Sequence, residues 1–269
     1  MSPSATDFLA CVDGEVMPAA AATIPATDEG LLRGDGVFEV MRLYAGRPFA
    51  CEDHLARMQR SAANLRLPLD VAAVRADVEA LLERTGAVEA LLRVLATRGG
   101  HRVALVEPLP QLPGALRLGL VTYAPTRVLD GIKSLSYAGN MLAGRLARER
   151  GFDEALLVTP HGRVLEAPTS SFFWVRHGAI FTPPLDDHIL ESITRARVMR
   201  AVDVREAPCA VDDVRAADEA FLASTVREVH PVSAVEDVEL APGGPVTQDA
   251  ARRTRALIEA ELGAAPAGG

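Results

Sequence analysis

Apolar and polar positions alternate with period two through the early part of the chain. FLACV and EVMP flank Asp13-Gly14, a dipeptide suited to a tight hairpin turn, and GVFEVMRLY and RPFAC flank Ala45-Gly46 in the same way. The period then lengthens. Leu55, Met58, Ala62 and Leu65 recur at helical spacing over residues 53–65, and Val71, Val74, Val78, Leu81 and Leu82 do so over residues 70–85, where Gly86 ends the run. Two further strands are predicted at ALLRVLATR and RVALV, joined at Gly99-Gly100. EPLPQLPG follows with three prolines in eight residues, a density that neither a helix interior nor a central strand accommodates. These patterns predict an N-terminal domain over residues 1–106, a linker over 107–114 and a C-terminal domain over 115–269.

The C-terminal part opens with a strand at LRLGLVTY and continues into a helix from about Tyr137 to Arg150, stopped by Gly151. EALLV, RVLE, SFFWV and AIFTP are short β-rich runs separated by turn residues, which implies a compact sheet. A helix starts near Ser192, with Ile193, Val198 and Val202 placed to pack on that sheet. Strands at EAFLAS and EVHPVSAV, a last helix from about Thr247 and a tail AAPAGG expected to be disordered complete the chain. There is no internal repeat. The class is α/β, in the α+β sense, with two domains.

Composition narrows the function. With 49% hydrophobic residues in 269, the chain can bury a substantial core. Its net charge of -8 sets up no attraction for nucleic acid or an anionic membrane, so small molecules are the expected partners. Cys11, Cys51 and Cys209 are odd in number, widely spaced and without metal-ligand spacing, so neither a disulfide framework nor a metal site is expected. The N-terminal stretch lacks the features of a signal peptide and no apolar run is long enough to span a bilayer, which makes a cytoplasmic location the expectation. Of the 28 basic side chains, one is lysine, Lys133, and the other 27 are arginine. Arginine serves equally well as a solvated charge but stays protonated, whereas a lysine amine can lose its proton and form an imine. A lone lysine is either a remnant of the surface or a residue whose amine reacts.

Four segments, in order, resemble the fold-type IV pyridoxal-phosphate enzymes, the family of branched-chain aminotransferase, D-amino-acid aminotransferase and 4-amino-4-deoxychorismate lyase. They are RGDGVFEVMRLYAGRPFACEDHLARM, GIKSLSYAGNMLAGRLARERGFDEALLV, GRVLEAPTSSFFWVRHGAIFTPPL with ILESITRARV, and ADEAFLASTVREVHPV. The likeness spans about residues 28–250. It implies a smaller N-terminal α/β domain, a larger C-terminal pseudo-barrel domain, pyridoxal 5'-phosphate as cofactor and a homodimer. Lys133 falls on the family's Schiff-base lysine, and Glu166 on the carboxylate that pairs with the pyridine nitrogen and keeps it protonated.

The resemblance also implies that Arg57, Ile193, Thr194, Ser224 and Thr225 bind the cofactor phosphate, in keeping with the affinity of a helix N-terminus for a dianion. Tyr137 is expected near the cofactor's 3'-oxygen and Phe38 in the substrate pocket. Arg98, His101 and Arg102 lie on the loop from which relatives reach the substrate carboxylate, and Arg98 is the preferred candidate. Ala167 and Ser192 stand where glycine is usual and Ser136 where asparagine is common. Val40 occupies a position at which the family's lyases carry threonine, which favours amino transfer between a small amino acid or amine and a 2-oxo acid. Release of pyruvate from aminodeoxychorismate is the alternative reading, and a non-catalytic cofactor-binding protein a third.

Overall fold

The computed structural model describes residues 8–264, which divide into two compact units. One ends at Gln111 and also takes in Ile132–Tyr137; the other comprises Leu112–Gly131 and the chain from Ala138 onward. The chain passes from one unit to the other inside the proline-rich 107–114 segment. The contiguous C-terminal domain, however, needs correcting, because the segment that carries Lys133 returns to the first unit. Backbone pairing is the reason: Phe38 N donates to Lys133 O at 3.1 Å, Leu135 N to Gly36 O at 2.8 Å, and Lys133 N to Ser61 Oγ at 3.1 Å.

The first unit contains β1 (Leu9–Val12), β2 (Glu15–Pro18), α1 (Glu29–Arg33), β3 (Gly36–Tyr44), β4 (Arg47–Pro48), α2 (Cys51–Asn64), α3 (Val71–Thr85), β5 (Ala90–Thr97) and β6 (Arg102–Pro108). The strands form one antiparallel sheet in the order β2-β1-β6-β5-β3-β4. Alternation along β3 sends Val37, Met41 and Leu43 into a core with Leu55 and Met58 of α2 and Val78 and Leu81 of α3. Burying each such side chain contributes about 1.5–3 kcal/mol. Phe38 and Val40 have the opposite parity. Helix α1 has no periodic signature. It is set by Asp28, whose carboxylate accepts from Gly30 N and Thr97 Oγ1, each at 2.7 Å, and it ends at Gly34 with φ +68°, a conformation that favours glycine.

The second unit contains β7 (Leu116–Thr122), α4 (Ala138–Glu149), β8 (Glu154–Val158), β9 (Arg163–Val164), β10 (Ser171–Arg176), β11 (Ala179–Thr182), α5 (Ile193–Ala201), β12 (Val204–Glu206), β13 (Cys209–Ala210), α6 (Val211–Arg215), β14 (Glu219–Ser224), β15 (Glu228–Val235), β16 (Val238–Glu239) and α7 (Pro245–Ala264). Its sheet runs β12-β11-β10-β14-β15-β7-β8-β9-β13, with β16 beside β15. Parallel β7 and β8 are joined through α4, a crossover that requires a helix-length connection. Phe172, Leu222 and Val232 belong to one core, and Phe173, Phe221 and Ala223 to another that takes in Val198 of α5 and Ala250 of α7. The expected tail lies outside the described residues except for Ala264, the last residue of α7. Among the described residues no helix is long and apolar enough to cross a membrane, and no three His, Cys, Asp or Glu side chains gather as metal ligands.

Candidate active site

Lys133 lies on the short segment that pairs with β3. The Val37–Ser134 bridge fixes its register, and Phe38, one position along β3, forms the wall beside the amine. Lys133 Nζ is 4.5 Å from the centroid of the Phe38 ring and 5.7 Å from that of Tyr137. The two rings meet edge to face with centroids 5.3 Å apart. Phe38 and Tyr137, both anticipated near the reacting centre, are therefore brought together with the lysine. The Ser136 hydroxyl donates to Gly34 O at 3.1 Å, so serine at this position ties the segment to the end of α1.

A buried ionic cluster lies on the opposite face of β3. Glu39 has the parity of Val37 and Met41, so its carboxylate points to the core face, where it is fully buried. It accepts from Arg57 Nε at 2.7 Å, Arg57 Nη2 at 2.6 Å and His54 Nδ1 at 2.7 Å. His54 and Arg57 lie three residues apart on α2 and therefore on one helix face. Burial acts to raise the Glu39 carboxyl, but hydrogen bonds from Arg57 and His54, with the charges behind them, hold it at about 2. Burial lowers the His54 imidazole, and the Arg57 and Lys133 charges add to that effect against the pull of Glu39. His54 is therefore a neutral donor rather than one member of an ion pair. Arg57 is a buried group with a fixed orientation, not a solvated helix charge.

The loop candidates for the substrate carboxylate are all held by their own unit. Arg98 donates through Nε to Asp35 at 2.6 Å and through Nη1 and Nη2 to Arg66 O and Leu65 O, each at 2.9 Å. His101 pairs with Asp13 at 2.7 Å and Arg102 with Asp77 at 2.8 Å. The cation that shares the Phe38 ring with Lys133 is instead Arg93 of β5, whose guanidinium carbon lies 5.8 Å from the ring centroid. Adding the 4.5 Å from that centroid to Nζ bounds the separation of the two cations at 10.3 Å. Glu107 holds Arg93 through a contact of 2.9 Å. Arg93 was not singled out from the sequence, and its place opposite Val40 depends on the register between β3 and β5.

In the second unit, Glu166 follows β9, with its backbone held by Leu157 N at 2.9 Å and its Oε1 by Leu190 N at 3.1 Å. Burial, followed by the Glu166 charge, raises the neighbouring Tyr123 phenol. Tyr123 OH donates to Asn140 Oδ1 at 3.3 Å, and Asn140 Nδ2 donates to Pro168 O at 3.1 Å. Ser192 caps α5 by accepting from Arg195 N at 3.2 Å, which leaves the amides of Ile193 and Thr194 at a helix start where no intrahelical acceptor exists. Serine at this position therefore supplies a cap that glycine could not. Ser224 ends β14 and Thr225 follows it in the turn. The helix-start amides of Ile193 and Thr194 and the hydroxyl of the buried Thr194 are donors whose chemistry suits a phosphate dianion.

The model of the family described as amino-transferase class IV matches residues 36–235. The D-alanine aminotransferase of Listeria monocytogenes serotype 4b is 31% identical over 254 residues, covering 84% of this chain and 88% of that protein. A fold IV-transaminase from Curtobacterium pusillum superposes with a TM-score of 0.83 at 30% identity, covering 94% of this chain and 99% of the other. The branched-chain amino acid aminotransferase from Thermobaculum terrenum in its PLP form superposes with a TM-score of 0.84 at 26% identity, covering 94% of each chain.

Proposed function

The chain belongs to the class IV aminotransferases, pyridoxal-phosphate-dependent enzymes, and on that footing we propose that it moves an amino group between a small amino acid and a 2-oxo acid, with Lys133 as the covalent attachment point and proton carrier. The observation that carries this reading is the placement of the only lysine, with its amine against the Phe38 and Tyr137 rings. Bound pyridoxal phosphate supplies an electron sink for the negative charge that develops at the substrate α-carbon.

Lys133 Nζ takes the α-proton and returns it, a role open to an amine in a partly desolvated setting and closed to the guanidinium groups that make up the rest of the basic residues. Glu166, oriented by the Leu190 amide, keeps the pyridine nitrogen protonated. Ile193, Thr194, Ser224, Thr225 and Arg57 would hold the phosphate, and Tyr137 would donate to the 3'-oxygen. Phe38 forms the wall that keeps water from the amine. Arg93, which shares the ring that faces Lys133, is the candidate for the substrate carboxylate beside Arg98; each is already paired with a carboxylate, Arg93 with Glu107 and Arg98 with Asp35.

Half-reactions test this directly. Holoenzyme is mixed with D-alanine or L-leucine without an oxo acid and the absorption of the bound cofactor is followed. Conversion to the amino form with at least one of them, reversed by a 2-oxo acid, is expected. Repeated release of pyruvate from aminodeoxychorismate, with no conversion by either amino acid, would replace amino transfer with the lyase reading.

A further inference from the structure

Two turns, one directly after Glu166 and one carrying Ser224 and Thr225, lie at the same end of neighbouring strands in the second unit. Ala167–Ser170 follows Glu166 directly and is closed by Ala167 N to Ser170 O at 2.9 Å. Ser224–Arg227 carries Ser224 and Thr225 and is closed by Arg227 N to Ser224 O at 3.1 Å, with the Ser224 hydroxyl 3.3 Å from the same amide. Ser171 pairs with Ala223, so the turns are adjacent. One guanidinium joins them. Arg227 Nη1 donates to Ser170 Oγ at 2.6 Å and Thr169 Oγ1 at 3.1 Å, and Nη2 donates to Glu154 Oε2 at 2.9 Å.

The Arg227–Glu154 pair is well buried, with 11% and 9% of the side chains exposed. A pair at that depth is a poor source of stability, since desolvation offsets most of its attraction and an apolar pair of similar volume serves as well. What it supplies is geometry: a planar fork with donors in set directions, anchored at one end by a carboxylate. Glu154 is itself held. Its Oε1 accepts from Ala155 N at 3.1 Å, and a Cβ on Gly144 of α4 would lie 3.2 Å from that oxygen, so glycine at this position gives the carboxylate its room beside the helix.

We propose that Arg227 is a positioning residue that locks the turn after Glu166 to the Ser224–Thr225 turn, fixing the spacing between the group that meets the ring nitrogen and the groups that meet the phosphate. This rests on the assignment of Glu166, Ser224 and Thr225 to the cofactor. Lysine in place of Arg227 keeps the charge opposite Glu154 but lacks a fork that can hold Glu154 and the Thr169 and Ser170 hydroxyls at once.

The test compares wild type, Arg227→Lys, Thr169→Val/Ser170→Ala and Ser224→Ala/Thr225→Val, each purified as holoenzyme. Three quantities are read: the dissociation constant of pyridoxal phosphate on re-addition to the stripped protein, the 31P chemical shift of the bound phosphate, and the melting temperature of the stripped protein. Arg227→Lys is expected to weaken cofactor binding about tenfold to a hundredfold, the range in which loss of a supporting contact is felt at a bound centre. It should move the 31P shift and leave the melting temperature close to that of wild type. Should Arg227→Lys not fold, the Thr169→Val/Ser170→Ala variant, which keeps the ion pair, must show the same weakening in smaller measure. Wild-type affinity and 31P shift in these variants, with weakened binding in Ser224→Ala/Thr225→Val, overturns the positioning role. Wild-type affinity in Ser224→Ala/Thr225→Val overturns the phosphate assignment, and the proposal falls with it.

Discussion

Replacing Glu39 by glutamine keeps the shape of the side chain and removes the charge that Arg57 and His54 are built around. The carboxyl is fully buried and titrates at about 2 in the fold against 4.5 when unperturbed. A difference of about 2.5 units is worth roughly 3 kcal/mol at about 1.4 kcal/mol per unit. That agrees with the about 3–5 kcal/mol lost when one member of a buried pair is removed and the other left uncompensated. Because the folded value lies below the unfolded one, the contribution is present in full above pH 4.5 and is lost as the pH falls toward 2. His54 acts in the same direction, since its folded value is also depressed, and Glu39 opposes that depression, so both proteins are compared in a His54→Gln background. Thermal unfolding of stripped His54→Gln and His54→Gln/Glu39→Gln, followed by circular dichroism from pH 7 down to pH 3, reads the gap. At pH 7 it should be about 3 kcal/mol, or roughly 6–12 °C in melting temperature for a chain of this size. The gap should narrow as the pH drops below 4.5. A gap inside the roughly 0.5 kcal/mol spread of ordinary surface substitutions, or one that persists unchanged in acid, refutes the reasoning.

Ser192→Ala removes the cap of α5 and should cost about 1 kcal/mol of stability while weakening cofactor binding, as read by unfolding and by pyridoxal-phosphate titration; unchanged values in both would contradict the assigned role. Arg93→Leu should raise KM for the amino acid by roughly 10- to 100-fold with a smaller change in kcat, the size expected for loss of a charged hydrogen bond, and an unchanged KM would return the carboxylate to another residue. Burial, followed by the Glu52 charge, pushes the Cys51 thiol up to about 11, so at pH 8 only about one molecule in a thousand carries a thiolate there. Iodoacetamide should leave Cys51 unmodified in the native protein at that pH, and stoichiometric labelling would show the thiol to be poised instead.

Local signals in the sequence located most elements because their causes are local. Asp13 and Gly14 both adopt positive φ in their turn, as do Ala45 and Gly46, and the helical periods at 53–65 and 70–85 correspond to Cys51–Asn64 and Val71–Thr85. What the sequence hid depends on pairing over distance. Nothing near Lys133 indicates that its segment leaves the chain on either side of it to pair with β3, a partnership fixed by contacts almost a hundred residues away. The β9–β13 pairing brings Val164 to Cys209 for a similar reason. The Glu39 cluster was partly legible. A glutamate at a core-facing position of an otherwise apolar strand demands buried partners, and His54 and Arg57 one helical turn apart could have been named as those partners.

The division between one lysine and 27 arginines now has a structural account at three positions. Arg57 grips Glu39 with two nitrogens, Arg98 ties Asp35 to the end of α2, and Arg227 joins Glu154 to two hydroxyls. Each takes acceptors in several directions at once, a task for a rigid planar fork and one that a single ammonium on a flexible stem performs poorly. Lys133 has different surroundings, with two aromatic rings beside its amine and backbone bonds holding its segment. Geometry is assigned to arginine and reactivity to lysine, so a second lysine introduced at position 57, 98 or 227 would not become a second reacting centre but would loosen the structure around the first.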